Sequence, residues 1–135
     1  MVLLAVAAAV TLKIQPVSAA ECPNRAALGT SRVMPVSVGG TPRVGLKSFP
    51  TTLPLADKEV VLTFDDGPFP PTTRRVLSAL ADECVHATFF LIGQNAARSP
   101  ELVRKIAADG HSIGYHTWSH RILGRVGQKI GRAHV

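Results

Sequence analysis

The chain has 135 residues, of which 46% are hydrophobic, and this length accommodates one domain with a hydrophobic core. Its formal net charge is +6, but the basic residues are scattered singly or in pairs, and only 5% of residues are aromatic. Nucleic-acid binding requires a clustered basic surface, and single-strand binding also requires aromatic stacking platforms. The composition therefore argues against a nucleic-acid partner.

The first twenty residues have the character of an export signal. An apolar run, Val2 to Leu12, is followed by the small residues Ser18, Ala19 and Ala20. The run is shorter than the roughly 20 apolar residues that span a bilayer, and its ending is typical of a signal-peptide cleavage site. We expect residues 1–20 to be a signal peptide that exports the protein to the periplasm or medium without a stable membrane span. No Lys or Arg precedes the run, which suggests a misassigned start codon with the true basic segment upstream. A buried N-terminal helix is the alternative.

The two cysteines, Cys22 and Cys84, agree with export. An even pair of cysteines in an oxidising compartment can form a disulfide. The alternative is a free thiol at Cys22 and a small buried hydrophobic residue at Cys84. Residues 21–58 around Cys22 are rich in Pro, Gly, Ser and Thr and show no sustained periodicity, which predicts an irregular N-terminal arm.

The next part of the chain alternates between strand and helix patterns. A helix capped by Thr72 or Thr73 is predicted first, and a second begins at Ser99 and Pro100 and ends before Gly110. A short apolar run that suits a strand buried on both faces precedes them, and two more strands follow in alternation. The three predicted strands are EVVLTF (59–64), HATFFLIG (86–93) and HSIGYH (111–116). This order predicts an α/β fold with a parallel sheet and right-handed crossovers.

Ionisable residues follow two of the predicted strands. Asp65 and Asp66 end the first strand, and His116 ends the third, with His120 four residues later. Functional residues in parallel sheets collect at the carboxyl ends of strands, and a helical turn or tight loop would bring both imidazoles to one side. Two imidazoles and a carboxylate are a standard ligand set for a catalytic divalent metal. A cation would also compensate the repulsion between the adjacent aspartates.

These motifs carry a family resemblance. TFDDGP (63–68) followed by GYHTWSH (114–120) resembles the first two motifs of the NodB-type polysaccharide deacetylases, carbohydrate esterase family four, and the similarity extends over about residues 60–123. The resemblance implies a distorted (β/α) barrel, incomplete in this chain. It also implies hydrolytic removal of acetyl groups from an N-acetylated polysaccharide of the chitin or peptidoglycan type.

The resemblance assigns roles by position. Asp65 becomes the catalytic base, and Asp66, His116 and His120 become the ligands of a divalent metal, usually Zn²⁺, while Thr117 braces the metal-site loop by hydrogen bonding. The family's later motifs, which include the histidine that protonates the leaving amine, do not occur in these 135 residues. His134 does not match that motif, so the general acid is unassigned. We expect this chain by itself to be inactive.

Alternatives for the domain stay open, and the last residues carry a separate expectation. The domain, predicted over residues 59–128, could be a non-catalytic truncated remnant, or it could belong to an acetylxylan esterase or another amide hydrolase of similar fold. The ending KIGRAHV, residues 129–135, stops the resemblance abruptly, and one reverse translation of it matches a sequencing-library adapter. We expect this tail to be artefactual.

Overall fold

The computed structural model describes residues 22–34, 50 and 52–122. The predicted signal peptide and the predicted artefactual tail lie outside the described residues. So does His134. None of the helices in the described part of the chain combines the length and apolar character that crossing a bilayer requires.

The described chain has three parallel strands and three helices, with one helix between the first two strands and two between the second and the third. The strands form one sheet in the order β1-β2-β3, with β1 and β3 at its edges. Three strands do not close a barrel, so within the described residues both edges are unpaired. The elements are β1 (Thr63–Asp65), α1 (Pro70–Asp82), β2 (Thr88–Leu91), α2 (Gly93–Arg98), α3 (Pro100–Ala108) and β3 (Ser112–Tyr115).

The first strand is shorter and more exposed than its apolar run predicts. It begins at Thr63 instead of Glu59, and Val60 and Val61 are 76% and 46% exposed, so the prediction of a strand buried on both faces is wrong here. β1 pairs only with β2, over Thr63–Asp65. The Leu62 carbonyl still accepts a hydrogen bond of 3.0 Å from the N–H of Thr88 in β2, but residues 59–61 pair with no strand among the described residues. Burial of an apolar run depends on such neighbours.

The first helix begins earlier than its threonines predict. Pro70 is its first residue and Phe69 is the N-cap, so the prediction of a cap at Thr72 or Thr73 is wrong. Prolines suit the first turn because its N–H groups have no partner within the helix. Thr73 instead lies inside the helix, where its hydroxyl accepts a hydrogen bond of 2.9 Å from the backbone N–H of Phe69.

The third helix begins and ends where the sequence predicts. Ser99 is its N-cap residue, although the Ser99 side chain makes no capping hydrogen bond, and Glu101 lies in the first turn. Gly110 follows the helix with a φ of +84°, a left-handed conformation that glycine adopts without a steric penalty. Helix α2 was not predicted, because GQNAAR is too short to show a periodic pattern.

The core lies between the sheet and helices α1 and α3. Each of its residues is less than a tenth exposed, and they are Leu77, Leu80, Ala87, Phe89, Leu91 and Ile106. Full burial of one leucine or isoleucine side chain contributes roughly 1.5–3 kcal/mol. These contacts hold the strands against the helices, and the strand ends therefore have fixed positions.

The described part of the N-terminal arm is attached at the end of α1. A disulfide joins Cys22 to Cys84, with the two Cα atoms 5.8 Å apart. The backbone N–H of Leu28 donates to the Glu83 carboxylate over 3.1 Å, and the Thr30 hydroxyl accepts from the backbone N–H of His86 over 2.7 Å. The arm is therefore bound close to the amino end of β2.

Candidate metal site

The carboxyl ends of the strands bring the acidic and imidazole side chains to one edge of the sheet. This edge is the side on which the strands end, and it is distinct from the edge strands β1 and β3. Asp66 follows β1 directly, and His116 follows β3. β2 lies between the two strands and runs parallel to both, so all three end at the same edge. Asp66 and His116, which are fifty residues apart in sequence, therefore lie on the same side of the sheet.

Asp66, His116 and His120 converge on one point. The Oδ1 atom of Asp66 lies 3.2 Å from Nε2 of His116 and 3.3 Å from Nε2 of His120. The two imidazole rings are tilted with their centroids 5.0 Å apart. One donor atom from each of the three residues lies within 4.8 Å of the others, which is the spacing of ligands around a single ion.

The state of the Asp66 carboxylate indicates that these donors suit a cation. Its Oδ1 atom is shielded from solvent and makes no hydrogen bond, although two imidazole nitrogens face it. A buried oxygen without a partner is costly, and a cation shared with two imidazoles would satisfy it. One carboxylate and two imidazoles match the ligands of catalytic zinc sites, which keep a position open. The His120 side chain is 61% exposed, so the site can be approached from solvent.

The two histidines are brought together by a tight turn. Residues 117–119 form the turn after His116, and Thr117 and His120 have φ values of +62° and +56°. Non-glycine residues in this left-handed region cost on the order of 1 kcal/mol each, so surrounding contacts must hold them there. Of the two possibilities that the spacing allows, the structure therefore has a loop.

Backbone hydrogen bonds from the start of α2 hold this loop. The N–H of Gly93 donates to the Thr117 carbonyl and that of Gln94 to the Trp118 carbonyl, each over 3.0 Å. The N–H of His116 donates to the Leu91 carbonyl over 2.9 Å, which continues the pairing of β2 with β3. The Thr117 hydroxyl is buried without a hydrogen-bond partner among the described residues. The described contacts of Thr117 to α2 thus use its carbonyl.

Two residues near the site carried no signal in the sequence. The side-chain amide of Asn95 donates a hydrogen bond of 2.8 Å to the Asp66 carbonyl. Gly93 packs against the Trp118 ring so closely that a Cβ atom on it would lie 2.3 Å from Cε3 of the ring. An isolated asparagine or glycine after a strand is common in loops and turns. Their roles depend on contacts that form only in the folded chain.

Asp65 is the last residue of β1 and is exposed to solvent. It lies opposite Phe90 in the register of β1 and β2. Its position beside Asp66 is compatible with the role of base that the resemblance assigns to it. That role stays a prediction.

The other two described histidines lie at the opposite edge of the sheet. His111 is buried just before β3, and its Nδ1 atom accepts a hydrogen bond of 3.3 Å from the backbone N–H of Ala87. Burial lowers the pKa of His111, and the neighbouring His86 lowers it further. A neutral, hydrogen-bonded imidazole is what a structural role requires.

The sequence profile that describes polysaccharide deacetylases matches residues 53–134, more than half of the chain. The chain belongs to the polysaccharide deacetylase family. This confirms the resemblance carried by the motifs around Asp66 and His116.

The family relatives include cell-wall and oligosaccharide deacetylases. A peptidoglycan-N-acetylglucosamine deacetylase of Bacillus cereus is 48% identical over 75 residues, which are 56% of this chain and 27% of that protein. A chitooligosaccharide deacetylase of Rhizobium leguminosarum bv. trifolii is 47% identical over 64 residues, which are 47% of this chain and 30% of the relative. The chain therefore spans less than a third of the length of either protein.

Solved structures of the family share the fold. The Bc1960 peptidoglycan N-acetylglucosamine deacetylase superimposes with a TM-score of 0.54 at 49% identity, covering 55% of this chain and 35% of that one. A family 4 carbohydrate esterase of Streptomyces lividans gives a TM-score of 0.51 at 37% identity, covering 56% and 38%. The predicted fold class, part of a distorted (β/α) barrel, is thus confirmed.

Proposed function

We propose that the protein is a metal-dependent hydrolase that removes acetyl groups from an N-acetylated polysaccharide of the chitin or peptidoglycan type. The observation that carries the proposal is the buried Oδ1 atom of Asp66, which has no hydrogen bond and faces two imidazole nitrogens. Amide hydrolysis needs a polarised carbonyl and an activated water, and this arrangement can hold the ion for both purposes.

Asp66, His116 and His120 are the proposed ligands of a divalent ion, which we take to be zinc. A bound zinc ion supplies a Lewis acid for the acetyl carbonyl and lowers the pKa of its water. Both imidazoles must be neutral and the carboxylate ionised in order to bind it. Thr117 supports this set through its carbonyl, which accepts from the start of α2.

Asp65 is the proposed general base. It lies next to the ligand Asp66, and its exposed carboxylate is free to accept the proton of the attacking water. The proton required by the leaving amine must come from another residue, for which the described chain offers no candidate by motif. We therefore expect the 135-residue chain alone to release no acetate, since its described sheet also has two unpaired edges.

The substrate class rests on the relatives. Two similar proteins are named as deacetylases of peptidoglycan N-acetylglucosamine and of chitooligosaccharide. Both of these substrates contain N-acetylated sugars. The likeness to the carbohydrate esterase of Streptomyces lividans supports a second candidate, the hydrolysis of acetyl esters on a polysaccharide. Acetate release from an N-acetylated oligosaccharide, compared with that from acetylated xylan, separates the two.

The proposed location is outside the cytoplasm, in the periplasm or the medium. The Cys22–Cys84 disulfide supports it, because disulfides persist in oxidising compartments. N-terminal sequencing of the exported protein should begin at Glu21, and an intact Met1 in cytosolic protein would contradict the proposal.

Elemental analysis of variants tests the metal site. Each of Asp66→Ala, His116→Ala and His120→Ala should lower the zinc content of the full-length protein. Asp65→Asn should retain the metal but lose most activity, because it removes only the base. Unchanged zinc in the three ligand variants would show that the site lies elsewhere. An unchanged rate in Asp65→Asn would refute the assignment of the base.

A further inference from the structure

Helix α2 contacts both halves of the metal site without contributing a ligand. Backbone N–H groups of Gly93 and Gln94 donate to the histidine loop. The side chain of Asn95 reaches the other half, where its Nδ2 atom donates to the Asp66 carbonyl over 2.8 Å. One short helix thus connects the turn that carries the carboxylate with the loop that carries the imidazoles.

The backbone conformation of Asp66 is one that such a contact stabilises. Asp66 has a φ of +70°, a left-handed conformation that costs a residue with a Cβ atom on the order of 1 kcal/mol, which neighbouring contacts offset. Among the described residues, it is the Asn95 side chain that donates a hydrogen bond to the Asp66 carbonyl. The orientation of this peptide sets the direction in which the Asp66 side chain leaves the backbone, and hence where Oδ1 lies.

We propose that Asn95 is a positioning residue, which fixes the Asp66 carboxylate as a metal ligand by holding the Asp66 peptide in its left-handed conformation. This inference rests on the proposed metal site. It adds that the affinity and geometry of that site depend on a side chain outside both motifs. Residues that orient ligands typically change metal affinity by roughly 10- to 100-fold when they are removed.

Binding of Co²⁺ by the full-length protein tests the inference, because its visible absorption reports coordination geometry. Asn95→Leu keeps the branched shape and the number of heavy atoms of the side chain but has no hydrogen-bond donor, so it should weaken Co²⁺ binding roughly tenfold or more and alter the spectrum. Arg98→Gln, at the exposed end of the same helix, is the control, since the described residues give the Arg98 side chain no hydrogen bond or ion pair. We expect this control to keep its affinity within about twofold and its spectrum unchanged.

A second measurement needs no variant. In ¹⁵N NMR spectra of the wild-type protein, the side-chain amide of Asn95 should be protected from exchange and should shift when Zn²⁺ is added. The side-chain amide of Gln94 should show neither effect. This measurement decides the question if Asn95→Leu does not fold.

The outcomes separate this inference from the proposed function. Wild-type affinity and spectrum in Asn95→Leu, or an unprotected Asn95 amide in the wild type, would overturn the inference and leave the metal site intact. A wild-type protein that binds neither ion would overturn both. A merely structural role for Asn95 predicts lower stability with an unchanged Co²⁺ spectrum, and that result would also overturn the inference.

Discussion

Replacement of Gly93 by alanine tests how closely the histidine loop packs on α2. A Cβ atom at Gly93 would lie 2.3 Å from Cε3 and 3.0 Å from Cζ3 of the Trp118 ring. Carbon atoms in contact are normally about 3.5–4.0 Å apart, so the ring or the helix must move. Trp118 is part of the turn between His116 and His120, and its displacement should move both imidazoles.

The size of the effect follows from the exposure of the ring. Trp118 is 44% exposed, so a little over half of its surface is packed. A fully packed tryptophan buries roughly 150–250 Å². A little over half of that area, at about 25 cal/mol per Å², means that complete displacement of this ring would cost about 2–3.5 kcal/mol. Partial adjustment costs less, as overpacked sites typically lose about 1–3 kcal/mol. We expect Gly93→Ala to lower the free energy of unfolding by about 1–3 kcal/mol.

Urea unfolding followed by fluorescence measures both the loss of stability and the exposure of the ring, because Trp118 is the single tryptophan of the 135 residues. The emission of the folded variant should shift to longer wavelength as the ring becomes more exposed. Gly67→Ala is the control for stability, because a Cβ atom there would lie 3.5 Å from its nearest neighbour, an ordinary contact. It should change the free energy of unfolding by less than about 1 kcal/mol. Wild-type stability and emission in Gly93→Ala would refute this reasoning.

Three further predictions concern the core, the arm and the pH dependence of stability. Ile106 is fully buried, so Ile106→Ala should lower the free energy of unfolding by about 2–5 kcal/mol, whereas Arg104→Ala on the same helix should change it by less than about 0.5 kcal/mol. The disulfide from Cys22 spans 62 residues, so Cys84→Ser should cost up to about 4 kcal/mol in urea unfolding; no loss would show that the bridge is not formed. Hydrogen bonds from Arg32 lower the pKa of Glu59 to about 2. The stability that this ion pair contributes is complete above the unfolded pKa near 4.5 and is lost as pH falls towards 2. Unfolding midpoints measured across that range should show a shallower decline in Glu59→Gln, and equal declines would contradict the assignment.

Several features of this fold were predictable because they depend on residues close in sequence. Ser99, Pro100 and Gly110 mark the ends of α3, since capping preferences and the left-handed φ of glycine are local properties. The alternation of strands and helices predicts a parallel sheet, and that sheet predicts that Asp66 and His116 share an edge. The candidate ligands could therefore be named from the sequence.

Other features depended on the tertiary structure. The apolar residues Val60 and Val61 look like part of a buried strand, but burial requires a neighbouring strand, and the described residues place none beside them. The Gly93 N–H meets the Thr117 carbonyl and the Gln94 N–H meets the Trp118 carbonyl across more than twenty residues of sequence, and no local pattern predicts these contacts. Helix α2 is too short for a periodic pattern to reveal it.

The sequence by itself determined which side chains could bind a metal and at which edge of the sheet they would lie, because strand order and side-chain chemistry are encoded locally. Only the tertiary structure decided that Oδ1 of Asp66 points at both imidazoles and that Asn95 and Gly93 support this arrangement. The reason is physical. Left-handed residues and sub-ångström packing are maintained by contacts between segments distant in sequence, and those contacts form only when the chain has folded.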